Sequence, residues 1–204
     1  MVAGSTPATV PTLTTKRRKG GSMAKMSAMK VKPKFGRADV RRRNLRDAYW
    51  PDAAAATWDV KTEKGWCTVP RTMPRVMTLI NLLTPKDAGD AARVYFELWC
   101  RAFDGTFVEL SDEDEHAFAS GYTTDRGTRS WRERMKVLID LGFIRVKRVG
   151  TKEYGAILLL HPDDVVEKLR AKDKIPEGWG WHSAYMKRFG EIGAKPRHHT
   201  VKSR

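Results

Sequence analysis

Apolar and polar positions recur with a helical period along Asp125–Ile144, DRGTRSWRERMKVLIDLGFI. Trp131, Met135, Leu138 and Ile139 fall at i, i+4, i+7 and i+8, which places one apolar stripe along one side of a helix. Arg129, Arg132 and Lys136 recur at i, i+3 and i+7 on the opposite side. Gly142 stands where a helix-stopping glycine belongs. The period then changes to two. Ile144 and Val146 alternate with Arg145 and Lys147, which predicts a strand over Phe143–Val149. A polar turn, Gly150–Glu153, leads into a second strand, Tyr154–Leu160, which His161-Pro162 breaks.

The same patterns extend to both sides. Gly65–Val69 reads as a strand or turn. The helix after it has Pro74 in its first turn and Val76, Met77, Ile80 and Leu83 on its apolar face. Thr84-Pro85-Lys86-Asp87 reads as a capping box, with Thr84 the cap and Pro85 the first helical residue. Its helix would bury Ala88, Ala91, Ala92, Tyr95, Leu98, Trp99 and Ala102, and end at Asp104-Gly105. Thr106–Leu110 is a short strand. Ser111–Asp114 is a second capping box, opening a helix to Ser120 that Gly121 stops. Tyr122–Gly127 is the turn before the basic helix. Asp163 or Asp164 caps a helix to Lys172, and Ile175–Gly178 is a loop. Trp179–Gly193 carries Trp181, Tyr185, Phe189 and Ile192 at near-helical spacing and packs back on the body.

Composition changes this picture in one respect. The 204 residues carry a formal net charge of +15, which points to an anionic partner. Residues 1–48 hold thirteen Lys/Arg against two Asp, a net of +11, whereas residues 49–204 are nearly balanced at +4. The excess therefore sits on an N-terminal arm, expected to be disordered up to about Lys34. From Arg37 to Trp50 the arm is Arg-dense, and Arg41, Arg42 and Arg43 are candidates for groove or phosphate contact. Lys19-Gly20-Gly21 implies a purine-rich coding run shortly before Met23. Met23 is thus expected as an alternative start to Met1, and the intact mass of natively expressed protein decides between the two.

Five segments follow: an arm over 1–48, a lead-in segment and helix over 49–83, a central domain over 84–162, C-terminal helices over 163–193 and a basic tail over 194–204. With 41% hydrophobic residues a real core is expected. No apolar run approaches the ~18 residues that span a bilayer, and no signal-peptide core follows Lys16–Lys19. Cys67 and Cys100 have no metal-ligand spacing and are expected to be buried free thiols in a reducing bacterial cytoplasm.

The order helix, short strand, helix, turn, helix, hairpin from Thr84 to Leu160 resembles the winged helix-turn-helix superfamily. Leu138-Ile139-Asp140-Leu141-Gly142-Phe143-Ile144 is similar to the end of a recognition helix entering the first wing strand. The likeness implies a winged-helix core with flanking helices, in an α+β, mainly helical chain. The turn Tyr122–Gly127 is longer than the usual tight one, which blurs where the reading helix starts. Three further segments resemble a group of bacterial proteins of plasmids and other mobile elements: GWCTVPRTMP from Gly65, LWCRAFD from Leu98 and SWRERM from Ser130. That likeness implies a mobile-element setting.

A helix fits the DNA major groove, and its N-terminal half reaches base edges. Arg126, Thr128, Arg129, Arg132 and Lys136 are the candidates there, and Lys147, Arg148 and Lys152 would meet backbone from the wing. On the bland reading the same arginines are a solvated face, with Glu133 and Asp140 pairing to Arg129 and Lys136. The acidic run Asp112–Glu115 with His116 is read as macrodipole chemistry rather than a metal site. His182 is read as a core histidine and His198-His199 as an adventitious metal binder. No catalytic constellation, cofactor or metal is expected. The leading expectation is a nucleoid-associated binder of double-stranded DNA, regulator or replication initiator of a mobile element. The alternative is a non-enzymatic winged-helix subunit of a larger nucleoprotein or defence assembly, meeting a second copy or a partner protein through Trp179, Trp181, Tyr185 and Phe189.

Overall fold

A computed structural model describes residues 37–59, 61–102 and 106–197. The expectations for the arm before Arg37, for a helix stop at Asp104-Gly105 and for His198-His199 lie outside the described residues. The chain divides into two units between Thr57 and Trp58. In the first, α1 (Arg37–Tyr49) and α2 (Ala53–Ala56) are joined by a tight turn. The described side chains of α1 are mostly polar, and Val40 and Leu45 are exposed.

The second unit is α+β and mainly helical. Its helices are α3 (Met73–Leu83), α4 (Ala91–Arg101), α5 (Glu113–Ala119), α6 (Gly127–Leu141), α7 (Pro162–Ala171) and α8 (Trp181–Ile192). Its strands are β1 (Phe107–Glu109), β2 (Ile144–Val149) and β3 (Lys152–Leu159). Both β1 and β2 pair antiparallel with β3, giving the order β1-β3-β2. The register sets Val108, Ile157 and Val146 side by side on the inner face, and Phe107, Leu158 and Arg145 on the outer face. This is the two-residue period predicted from Ile144 onward, with the basic positions outward.

One core joins the helices to the sheet. It includes Val76 and Ile80 of α3, Tyr95 and Leu98 of α4, Trp131, Met135 and Leu138 of α6, and Ile157 of β3, all fully buried. Trp131 packs edge-on against Tyr154 at 5.5 Å, and Tyr95 against Phe143 at 5.2 Å. Each buried aromatic or aliphatic side chain contributes roughly 1.5–3 kcal/mol by leaving water. α6 ends where Gly142 turns left-handed (φ +81°), so that the Phe143 N–H reaches back to the Leu138 carbonyl.

Three helix starts differ from expectation. Thr84 closes α3 instead of opening α4, because its N–H and its hydroxyl both donate to the Ile80 carbonyl, at 2.9 and 2.7 Å. Residues Lys86–Ala88 form a 3-10 turn, and the cap of α4 is Asp90, whose carboxylate accepts from the Arg93 N–H at 3.1 Å. The second capping box is displaced by one residue: Asp112, not Ser111, caps α5 by accepting from the Asp114 N–H. α7 begins at Pro162, so neither Asp163 nor Asp164 caps it, and Asp163 instead accepts from the Tyr185 hydroxyl. The segment Gly65–Val69 forms no strand.

Candidate nucleic-acid interface

α6 positions the candidate residues by burying the opposite side. Trp131, Met135 and Leu138 hold it in the core, and Gly127 sits so close to the Tyr122 carbonyl that an added Cβ would lie 2.3 Å from that oxygen. The start of α6 is thereby pressed against the turn before it. Arg126, Arg129, Arg132 and Lys136 are all exposed on the outward face. Arg126 lies just ahead of the helix, and with 100° per residue Arg129, Arg132 and Lys136 span about a sixth of the helix circumference.

Their electrostatic surroundings differ. Arg129 is 80% exposed and pairs loosely with Glu133 at 3.4 Å. Arg132 donates through Nε to the Glu113 carboxylate of α5 at 2.5 Å. That hydrogen bond raises the Arg132 pKa. The Thr128 hydroxyl donates to Asp114 of α5 and is already engaged, not free for a phosphate. Arg126 and Lys136 have no ion pair among the described residues, so the pairing of Lys136 with Asp140 is not formed. Arg134 turns the other way. It is 11% exposed, lies over the Tyr122 ring at 5.0 Å and donates to the Ser130 carbonyl at 2.8 Å.

The hairpin supplies Arg145 and Lys147 on the outer face of the sheet, and Arg148 at its end, where the Nε donates to the Gly150 carbonyl at 3.1 Å. Lys152 reaches sideways to the Ser111 carbonyl at 2.7 Å. Arg41, Arg42 and Arg43 lie exposed on α1 of the first unit, and Arg42 pairs with Asp39 at 3.2 Å.

The first turn of α5 emerges as a hub. Glu113 takes Arg132, Asp114 takes Thr128, and Glu115 takes Arg101 at 2.8 Å, which lowers the Glu115 pKa. Behind it lies a pair that the sequence reading missed. The buried Glu97 carboxylate accepts from Arg101 Nε and meets His116 Nδ1 at 3.0 Å, and the His116 ring lies against Trp131. Nineteen residues separate Glu97 from His116, and no local pattern marks a contact at that range.

Several candidates move under the structure. Both thiols, Cys67 and Cys100, are exposed, not buried. The Cys100 thiol is pushed above its ordinary value, first by burial of its surroundings and then by the nearby Cys67. The proposed aromatic partner surface is largely internal. Trp181, Tyr185 and Phe189 are buried, Trp181 donates from its indole to the Arg75 carbonyl of α3 at 2.9 Å, and only Trp179 of the four is exposed. His182 is half-buried rather than in the core.

Among the described residues no group of three or more His, Cys, Asp and Glu side chains is disposed to hold a metal. Among them, too, no helix is long and apolar enough to cross a membrane. No family model, curated protein or solved structure matches this chain.

Proposed function

We propose that the second unit is a winged helix-turn-helix module that binds double-stranded DNA, with α6 in the major groove and the β2–β3 hairpin as the wing. The carrying observation is the face of α6 formed by Arg129, Arg132 and Lys136, with Arg126 at its cap, anchored from behind by Trp131 and followed at once by a basic hairpin. The element order α4-β1-α5-α6-β2-β3 and the sheet order β1-β3-β2 support the same reading. The seven-residue connection Ser120–Arg126 is longer than the 3–4 residues usual between such helices. Binding a phosphate backbone needs no tight turn, whereas the reading helix needs rigidity, which the Gly127–Tyr122 approach supplies.

Arg126, Arg129, Arg132 and Lys136 then face base edges, and Lys147, Arg148 and Lys152 face the backbone. The arm with Arg41, Arg42 and Arg43 adds sequence-independent attraction. The setting proposed is a plasmid, phage or other mobile element, with the protein acting as its regulator or replication initiator.

Fluorescence anisotropy of the full chain on random duplex DNA in low salt tests the reading. Binding that weakens steeply with salt is expected, and absence of binding in low salt would overturn it. In selected sites, Arg129→Ala and Arg132→Ala are expected to lose specific binding more than deletion of residues 1–48 does.

A further inference from the structure

The outward cations of α6 are not equivalent, and the difference lies in what holds them. We infer that Glu113 is a positioning residue, which fixes the guanidinium of Arg132 so that it reads the O6 and N7 acceptors of a guanine in duplex DNA. This rests on α6 being the groove helix.

A guanidinium carries five N–H donors in a planar fork, and one carboxylate takes at most two of them. Glu113 engages Arg132 on the Nε side. At least three donors remain, including two on adjacent nitrogens, which is what bidentate recognition of guanine needs. The burial is graded in the matching direction: the Glu113 side chain is 15% exposed and the Arg132 side chain 52%. The pair is thus seated on the protein at its acidic end and open at its basic end.

The carboxylate belongs to α5, a different helix, so it fixes the guanidinium relative to the scaffold. Glu133, the partner of Arg129, lies one turn along α6 itself and is about half exposed, so that pair is free to move with solvent. A second tie runs beside the first. The Thr128 hydroxyl donates to Asp114, joining the first turn of α6 to the first turn of α5. Two bonds from the first two turns of α6 to the first turn of α5 hold Arg132 in one orientation before any ligand arrives. Preorganisation of this kind lowers the ordering cost of binding and sharpens discrimination.

The two acids also oppose phosphate. Their effects on specific and non-specific binding therefore have opposite signs, which a merely structural role would not produce. A duplex is selected from a random pool with the full chain, and affinities for it and for a scrambled duplex are compared at several salt concentrations. For Glu113→Ala, the ratio of the two affinities is expected to fall about tenfold or more. Affinity for the scrambled duplex stays level or rises. Glu113→Gln keeps one acceptor and falls less.

Replacing each guanine of the selected site in turn by 7-deazaguanine, which lacks N7, locates the contact. One such replacement weakens binding of the wild-type chain and has no further effect on Arg132→Ala. If Glu113→Ala proves unfolded by thermal melting, the Glu113→Gln and 7-deazaguanine comparisons decide. An unchanged affinity ratio in a folded Glu113 variant, or no guanine whose replacement is silent in Arg132→Ala, overturns the inference and leaves duplex binding standing. Absence of binding to any duplex in low salt overturns the reading beneath it.

Discussion

At the scale of single residues, environment rather than residue type sets behaviour. Cys100 lies at the surface, yet its thiol titrates above its ordinary value, first because its surroundings are desolvated and then because Cys67 is close. Less thiolate is present at a given pH. Alkylation of Cys100, followed by peptide-resolved mass spectrometry, should keep accelerating at pH values where an ordinary thiol has levelled off. In Cys67→Ser the midpoint should fall only part of the way back, since burial is the larger cause. Glu97 offers a second test. Its carboxylate satisfies His116 Nδ1 and Arg101 Nε inside the α4–α5 contact. Glu97→Ala leaves the buried imidazole without that partner, which costs about 1–3 kcal/mol. Urea unfolding followed by tryptophan fluorescence measures it.

At the scale of elements, α6 is a helix by its own pattern but a presenting helix by its neighbours. The 3.6-residue period of Trp131, Met135 and Leu138 was legible, as was the stop at Gly142, because both depend on residues within one or two turns. The start was not legible. It is decided by the approach of Gly127 to the Tyr122 carbonyl and by Thr128 bonding to Asp114. Gly127→Ala should therefore act on presentation. The added Cβ meets backbone, which cannot swing aside like a side chain, so the first turn of α6 must shift. Faster amide exchange over residues 122–130 and weaker specific DNA binding are expected, with the strands β2 and β3 still protected. Normal exchange throughout would show that the turn accommodates the methyl. The helix starts expected at Thr84 and Ser111 shift for two different reasons. Thr84 bonds backward to the Ile80 carbonyl, whereas in the Ser111-Asp112 pair the second side chain takes the forward capping bond, and local sequence names neither choice.

At the scale of the whole molecule, charge is divided between two kinds of surface. The N-terminal arm carries +11 with little acid, whereas the rest is nearly balanced and keeps several of its cations beside carboxylates. The arm should supply most of the salt dependence, at about 0.9 in log–log slope for each phosphate it neutralises. Deleting residues 1–48 should flatten the slope while leaving the ratio of specific to non-specific affinity nearly unchanged. Titration of selected and scrambled duplexes over a range of salt checks both. An unchanged slope would assign the phosphate contacts to the hairpin and α6. The C-terminal aromatics have no such outward role. They close the core against α3, and Trp181→Ala belongs among core-weakening variants rather than among partner-binding ones.

What the chain determined without folding is what neighbours within a few residues determine. The apolar stripe of α6, the alternation of β2, the proline at the start of α3 and the location of the net charge all follow from local order. Tertiary structure alone decided which cations are tied to acids and which are left exposed. Arg132 and Thr128 meet acids 19 and 14 residues earlier, and Trp181 bonds to a carbonyl 106 residues away. Such pairings arise because packing one helix on another brings distant side chains within hydrogen-bond reach, and a linear period has no means of encoding which ones.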